Sequence, residues 1–234
     1  MVSLTIHGIK LPLLPGDVSP IIWQALANGS YEAKEARWVH KAVKRKDRVL
    51  ELGTGIGVIT SVIAKIPGVQ VWAFEANPTT AALAKRVIDA NGIGNVVLSP
   101  GILAAGEPRS FRFYVRKDLW MSSMDPNQGP YEHEISISST NIDEFLTSHN
   151  INALVMDIEG AERDLLKQAA LPGVERIFLE LHDHLYGLEG ILDITQALAA
   201  KGFAYDPRGS RGPCVLFSKD DGPREYEAEA ADAA

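Results

Sequence analysis

Two groups of residues in this 234-residue chain have the types and spacing to do chemistry. The first is Glu51-Leu52-Gly53-Thr54-Gly55-Ile56-Gly57, an acid followed by three glycines at alternate positions, together with Glu75, 22 positions after Gly53. The second is Asp157-Ile158-Glu159-Gly160-Ala161-Glu162 together with Glu180-Leu181-His182-Asp183-His184. Glycines after a short apolar run let the backbone turn sharply and approach a ligand closely. An acid at the end of the next apolar run can accept both hydroxyls of a ribose. Carboxylates near a histidine suit proton transfer around neutral pH.

These groups need a frame that brings them together, and the apolar pattern supplies one. Residues 48–52, 69–75, 95–98, 153–158 and 175–181 read as strands, and residues 56–66, 79–90, 159–170 and 188–201 as helices. That alternation predicts an α/β fold with a mostly parallel sheet covered on both faces, closed by strands at 203–206 and 214–218. Ligands in such sheets bind beyond the carboxyl ends of the strands. Four strands there present Glu51 with its glycines, Glu75, Asp157, and Glu180 with His182.

The remaining segments read as follows. Residues 1–20 are extended pieces and turns around Pro12, Pro15 and Pro20. Residues 21–46 are helical in two parts broken near Asn28-Gly29-Ser30, with Ser30 as the expected cap of the second part. Residues 110–115 and 134–139 alternate as antiparallel strands around a long loop, 117–130, that carries Trp120, Met121 and Met124. A helix at 142–148 follows. The expected organisation is an N-terminal segment with helices (1–46), a catalytic domain (47–218) and an acidic, disordered tail (219–234).

The net charge of −7 is concentrated in that tail, where six acids face two bases. The body carries −3 and has no electrostatic footprint for duplex nucleic acid. A single cysteine, Cys214, excludes an internal disulfide and fits a reducing compartment. No apolar run reaches the roughly 18 residues of a spanning helix, and the first 20 residues lack a signal-peptide pattern, so the expected location is cytoplasmic. The oligomeric state, monomer or homodimer, has no signature in the sequence.

A dinucleotide-binding turn, Gly-x-Gly-x-x-Gly, needs its third glycine at position 58, which is Val; here that glycine is Gly57. Acid-x-Gly-x-Gly-x-Gly resembles motif I of class I S-adenosylmethionine-dependent methyltransferases. A narrower resemblance lies downstream. Asp157-Ile158-Glu159-Gly160-Ala161-Glu162 is similar to the Asp-x-Glu-Gly-Ala-Glu signature of the FkbM methyltransferase family. Phe74-Glu75-Ala76-Asn77-Pro78 resembles that family's second-strand turn, which more often has Pro directly after Glu. Ser122-Ser123 stands where the family often has a serine pair, and Tyr31-Glu32 resembles its pre-domain helix start. The resemblance covers about residues 30–218.

The resemblance implies a Rossmann-like, seven-stranded class I methyltransferase fold that uses S-adenosylmethionine. Its implied cofactor residues are Glu51, Gly53, Thr54, Gly55, Gly57, Glu75 on the ribose, Ala76 and Asn77 beside the adenine, Gly101 and Ile102 on the adenine's other side, and Asp157. The implied reaction is O-methylation of a hydroxyl on a small molecule such as a sugar or secondary metabolite, with no nucleic-acid or membrane partner. Methyl transfer is mostly positioning, which can be worth about 7–11 kcal/mol. A base for the acceptor proton adds roughly 10²–10⁴-fold. Asp157, Glu159 and His182 are the expected catalytic residues, with Glu180, His184 and Glu162 as further candidates. Asp157 has a second reading as a ligand of the cofactor's ammonium. For Glu159 and Glu162 the alternative is placement in a first helical turn, where acids are favoured by the dipole alone. Asp157, Glu180, His182 and His184 are also types that ligate a divalent ion, but no paired-ligand spacing enforces one, and no metal is predicted. Two competing readings are a methyltransferase-like binding protein without turnover and a nicotinamide-dependent oxidoreductase. A nucleobase methyltransferase lacks its Asn/Asp-Pro-Pro-aromatic string here.

Overall fold

The computed structural model describes residues 4–219, and the acidic tail expected from residue 219 onward lies outside them but for Lys219. An N-terminal hairpin, β1 (Leu4–Ile6) and β2 (Ile9–Leu11), turns through His7 and Gly8, both at positive φ. Helices α1 (Pro20–Ala27) and α2 (Ala33–Ala42) follow, separated where the Asn28-Gly29-Ser30 break predicts. Ser30 does not cap α2. That place is taken by Glu32 in a left-handed conformation (φ 50°), with no side-chain cap bond.

The central sheet is built from β3 (Arg48–Leu52), β4 (Gln70–Glu75) and β5 (Val96–Pro100), joined by α3 (Val58–Ala64) and α4 (Pro78–Ala90). A side unit of β6 (Ile102–Ala104), β7 (Ser110–Val115) and β8 (His133–Asn141) interrupts the alternation. It leads through α5 (Ile142–His149) to β9 (Ala153–Met156), α6 (Glu162–Gln168), β10 (Arg176–Glu180), α7 (Asp183–Ala200), β11 (Phe203–Arg211) and β12 (Cys214–Lys219). The seven-stranded sheet has the order β11-β12-β10-β9-β3-β4-β5, with β12 antiparallel to both neighbours and the other pairings parallel. This is the expected α/β architecture.

β3 sits in the middle of the sheet, and its apolar residues serve both faces. Leu50 and Leu52 join Ile142, Leu166 and Ile194 on one side, while Val49 joins Val39, Ile59 and Ile63 on the other. The N-terminal segment is no loose arm: Ile9, Leu11, Ile22 and Leu26 are fully or almost fully buried against Ile56, Val58 and Val87. Burial of such side chains contributes about 1.5–3 kcal/mol each. No helix among the described residues is long and apolar enough to cross a membrane.

Two differences from the expected elements bear on function. The sequence pattern missed β6, a three-residue strand pairing in parallel with β8, because so short a run has no periodicity. The helix expected from residue 159 starts at Glu162 instead. Glu159 (φ 52°) and Gly160 (φ 100°) take left-handed backbone angles that a right-handed helix excludes. The dipole account of Glu159 therefore does not apply.

Candidate active site

The glycine turn is shaped by its neighbours in the fold. A Cβ on Gly53 would stand 1.7 Å from the Asp157 carbonyl oxygen, so only glycine lets β3 and β9 meet at their carboxyl ends. Gly57 (φ 83°) starts α3, and a Cβ there would press on Ala84 of α4. Glu51 is buried and accepts a bond from Thr60 Oγ1; burial pushes its carboxyl up to about 8. Thr54 bonds the Phe74 carbonyl, tying the turn to β4.

Glu75 ends β4 and stays buried. Its two oxygens accept from the Gly55 and Asn77 backbone N–H groups, each at 2.9 Å. Burial outweighs those bonds and raises the carboxyl to about 7. Asn77 caps α4 by accepting from Thr79 N–H.

A cavity of about 210 Å³ opens beside this turn. Gly53, Gly55, Glu75, Ala76, Gly101, Ile102, Asp157 and Glu159 all line it, bringing eight of the residues singled out in the sequence to one place. Glu51, Thr54, Gly57, Asn77 and His182 are not on its wall. The other walls come from Tyr31 and Glu32, from Phe111 and Phe113 on β7, and from Trp120, Ser122 and Met124 of the 117–130 loop. Met121 is exposed, so the expected loop trio contributes two members.

The Asp157–Glu162 string forms a turn with a clear division of labour. Glu162 is wholly buried, and its oxygens accept from the Ile158 and Gly160 N–H groups, each at 2.9 Å. That occupies its acceptors with the turn itself. Glu159, held left-handed, displays its carboxylate to the cavity, and Gln128 of the loop bonds its carbonyl. Behind them lies His182, only 5% exposed. Its Nε2 is 3.4 Å from Asp157 Oδ1 and 3.5 Å from Glu159 Oε2, and its Nδ1 is 3.3 Å from Glu162 Oε1.

Three carboxylates around one imidazole decide its charge. Burial alone would depress His182, but Glu162, then Asp157 and Glu159, overcome it and raise the ring to about 10. These carboxylates favour the imidazolium over a ring with a free lone pair. Burial raises Glu159 to about 7; His182 opposes that rise, and Glu162 and Glu180 add to it. Burial, then Glu159 and Glu180, likewise hold Asp157 well above the usual carboxylate range. Asp157, Glu180 and His182 offer ligand-type atoms within 4.8 Å of one another, whereas His184 is exposed and stands outside that group.

Sequence reasoning missed Arg116. Its guanidinium is buried and bonds the carbonyls of Tyr114, Met121, Asp125 and Gly129 and the Ser123 hydroxyl, while its backbone N–H bonds Ser122 Oγ. The serine pair and Arg116 thus fix the loop over the cavity. An arginine closing an alternating strand carries no local sign of burial. In the sequence Tyr31 and Glu32 read only as a helix start, since they lie more than 20 residues before Gly53 and no local pattern ties them to it.

Comparison with known proteins places this arrangement. The profile of the Methyltransferase FkbM domain matches residues 51–205. The chain belongs to the FkbM methyltransferase family. A 68-residue stretch is 40% identical to protein-L-isoaspartate O-methyltransferases of two strains of Anaeromyxobacter dehalogenans, covering 29% of this chain and 32% of theirs. The match thus spans about a third of the length of those curated relatives. Among solved structures, the ribosomal protein L11 methylase of Lactobacillus delbrueckii subsp. bulgaricus superposes with a TM-score of 0.50 at 17% identity, over 82% of this chain and 80% of that one. A precorrin-6y C5,15-methyltransferase from Geobacter metallireducens gives 0.47 at 10% identity, over 75% and 72%. At that identity the L11 methylase shows a shared fold only.

Proposed function

We propose that this FkbM-family chain transfers a methyl group from S-adenosylmethionine to a hydroxyl oxygen of a small molecule. The observation that carries this reading is the excess of carboxyl groups on one cavity. Glu75, Asp157, Glu159 and Glu32 line it, all with raised proton affinity from burial, and Asp157 Oδ1 and Glu32 Oε2 have no hydrogen-bond partner. His182 stands behind Asp157 and Glu159, and Arg109 is the one basic residue on the wall among the described residues, so the acids remain in excess and favour a cationic ligand with N–H or O–H donors. The same geometry fits the donor's shape. Glu75 faces the cavity beside Gly55, where a ribose diol meets a charged acceptor, and Ala76, Gly101 and Ile102 form an apolar slot for the adenine.

Bound there, the donor supplies an electrophilic methyl group on a positively charged sulfur. The chain's own residues do the rest. Glu159 faces the cavity with a carboxyl near neutral pH, which suits removal of the acceptor's proton. Asp157 lines the same wall and favours positive charge beside it. His182 does not touch the cavity; its imidazolium positions Asp157 and Glu159 and keeps part of their population ionised. Phe111, Phe113, Trp120 and Met124 enclose the acceptor side with apolar surface, which suits a small organic molecule.

Calorimetry of the full chain with S-adenosylmethionine tests this directly, and micromolar binding is expected. Donor consumption is then followed with hydroxylated small molecules and, in parallel, with proteins. The proposal is abandoned if no binding occurs, and its acceptor class is abandoned if only proteins are methylated. Binding without turnover of any acceptor supports the reading as a non-catalytic binding protein instead.

A further inference from the structure

We propose that Glu32, which lies outside the strand-end motifs, binds the α-ammonium of the methyl donor, so that the segment preceding the sheet completes the donor site. This rests on the donor reading above.

Glu32 combines three features that a plain helix start does not need. Its backbone is left-handed (φ 50°), a conformation uncommon for glutamate. Its side chain lines the cavity. Its Oε2 is buried with no hydrogen-bond partner, although burial of such an atom is costly. Burial and the charged neighbours Glu35 and Glu51 disfavour its negative charge, and the Tyr31 hydroxyl and the Ile59 backbone N–H offset this only in part.

The position relative to Gly55 assigns the ligand group. Gly55 N–H bonds Glu75 Oε2, so the ribose acceptor lies on one side of this residue. On its Cα side, a Cβ would sit 3.2 Å from Tyr31 Oη and 3.3 Å from Glu32 Oε1. With the adenine slot at Ala76 and Ile102 and the ribose at Glu75, the arm of the donor that remains is its amino-acid portion. A sulfonium has no N–H to satisfy an orphaned carboxylate oxygen, whereas a primary ammonium has three. Tyr31, buried and with its ring stacked 6.1 Å from Trp120, braces Glu32 against the loop that covers the cavity.

Three ligands separate this role from a structural one: S-adenosylmethionine, S-adenosylhomocysteine, and 5′-methylthioadenosine, which keeps the nucleoside and thioether but lacks the amino acid. Calorimetry with Glu32→Gln is expected to show both amino-acid-bearing ligands weakened roughly 10–100-fold, the range for a hydrogen bond to a charged group, with 5′-methylthioadenosine changed less than about twofold. Glu32→Asp, which keeps the charge, is expected to recover part of the loss for the first two only, and it carries the test if Glu32→Gln does not fold. Thermal unfolding of both variants without ligand monitors folding. Equal weakening of all three ligands, or unchanged affinity for S-adenosylhomocysteine, overturns the proposal. So does finding the same selectivity in Asp157→Asn but not in Glu32→Gln. If the wild-type chain binds none of the three, the donor reading itself fails and this assignment goes with it.

Discussion

The two ends of the cavity are acidic, but they handle their charge differently. Below the glycine turn, Glu75 and Glu51 are held by backbone N–H groups and a hydroxyl, and Glu32 is left with an open oxygen. Among the described residues Arg109 is the one basic residue on the cavity wall, and the charged neighbours of Glu32 are the acids Glu35 and Glu51, which leaves positive charge there for a ligand to supply. At the ends of β9 and β10, Asp157, Glu159 and Glu162 surround His182, a cation built into the protein. One end is thus poised to accept charge, and the other is arranged so that Glu159 sits near its own midpoint at neutral pH. The contrast separates binding from proton transfer within one cavity, and it yields predictions that fall on one side or the other.

The largest effect is expected at Glu159. Glu159→Gln removes the proton acceptor, and kcat should fall about 10²–10⁴-fold while donor affinity by calorimetry stays within about threefold. In the wild type, a protonated Glu159 cannot accept a proton, so kcat/KM should rise with pH through about 7 and level off above it. A variant that keeps its activity, or that loses donor binding to the same degree, would move Glu159 to the binding side.

How much of this was legible follows the same division. The glycine end is a local pattern: one turn, one strand end and fixed spacing, all visible in residues 51–77. The fold alternation was equally plain, because buried parallel strands are continuous apolar runs. The Asp157–Glu162 string could be recognised but not interpreted, since the left-handed turn that separates Glu159 from Glu162 depends on Gly160 packing against Leu185 and Gln128. The unperturbed pKa of histidine suggests His182 as a base, but the three carboxylates of the Asp157–Glu162 string oppose that, and only tertiary contact brings the string to His182. Glu32 is hidden because the glycine turn it packs against lies more than 20 residues on, and Arg116 because most of its partners are backbone carbonyls, which leave no mark on the sequence pattern.

A smaller effect is expected at His182. His182→Gln removes the cation that favours ionisation of Glu159. The rising limb of the pH profile should therefore move up by about one unit, leaving activity at pH 7 roughly fivefold lower and restored above about pH 9. Loss of activity without a shifted profile would mean that His182 acts by packing alone, and the difference between the two ends would then no longer be one of charge.

The smallest effect concerns a metal. Asp157, Glu180 and His182 lie close enough to share one ion. Metal ligation needs a neutral imidazole nitrogen, however, and Glu162 and Asp157 face the two ring nitrogens at 3.3 and 3.4 Å and favour the protonated ring. The imidazolium already supplies the positive charge that an ion would bring, and an added divalent cation would have to displace a proton held up to about pH 10. Prolonged treatment with excess EDTA should therefore change neither the melting temperature nor the rate. A loss of activity recovered by Mg²⁺ or Zn²⁺ would make His182 a ligand instead of a charge, and the proton-transfer end of the cavity would have to be rebuilt around the ion.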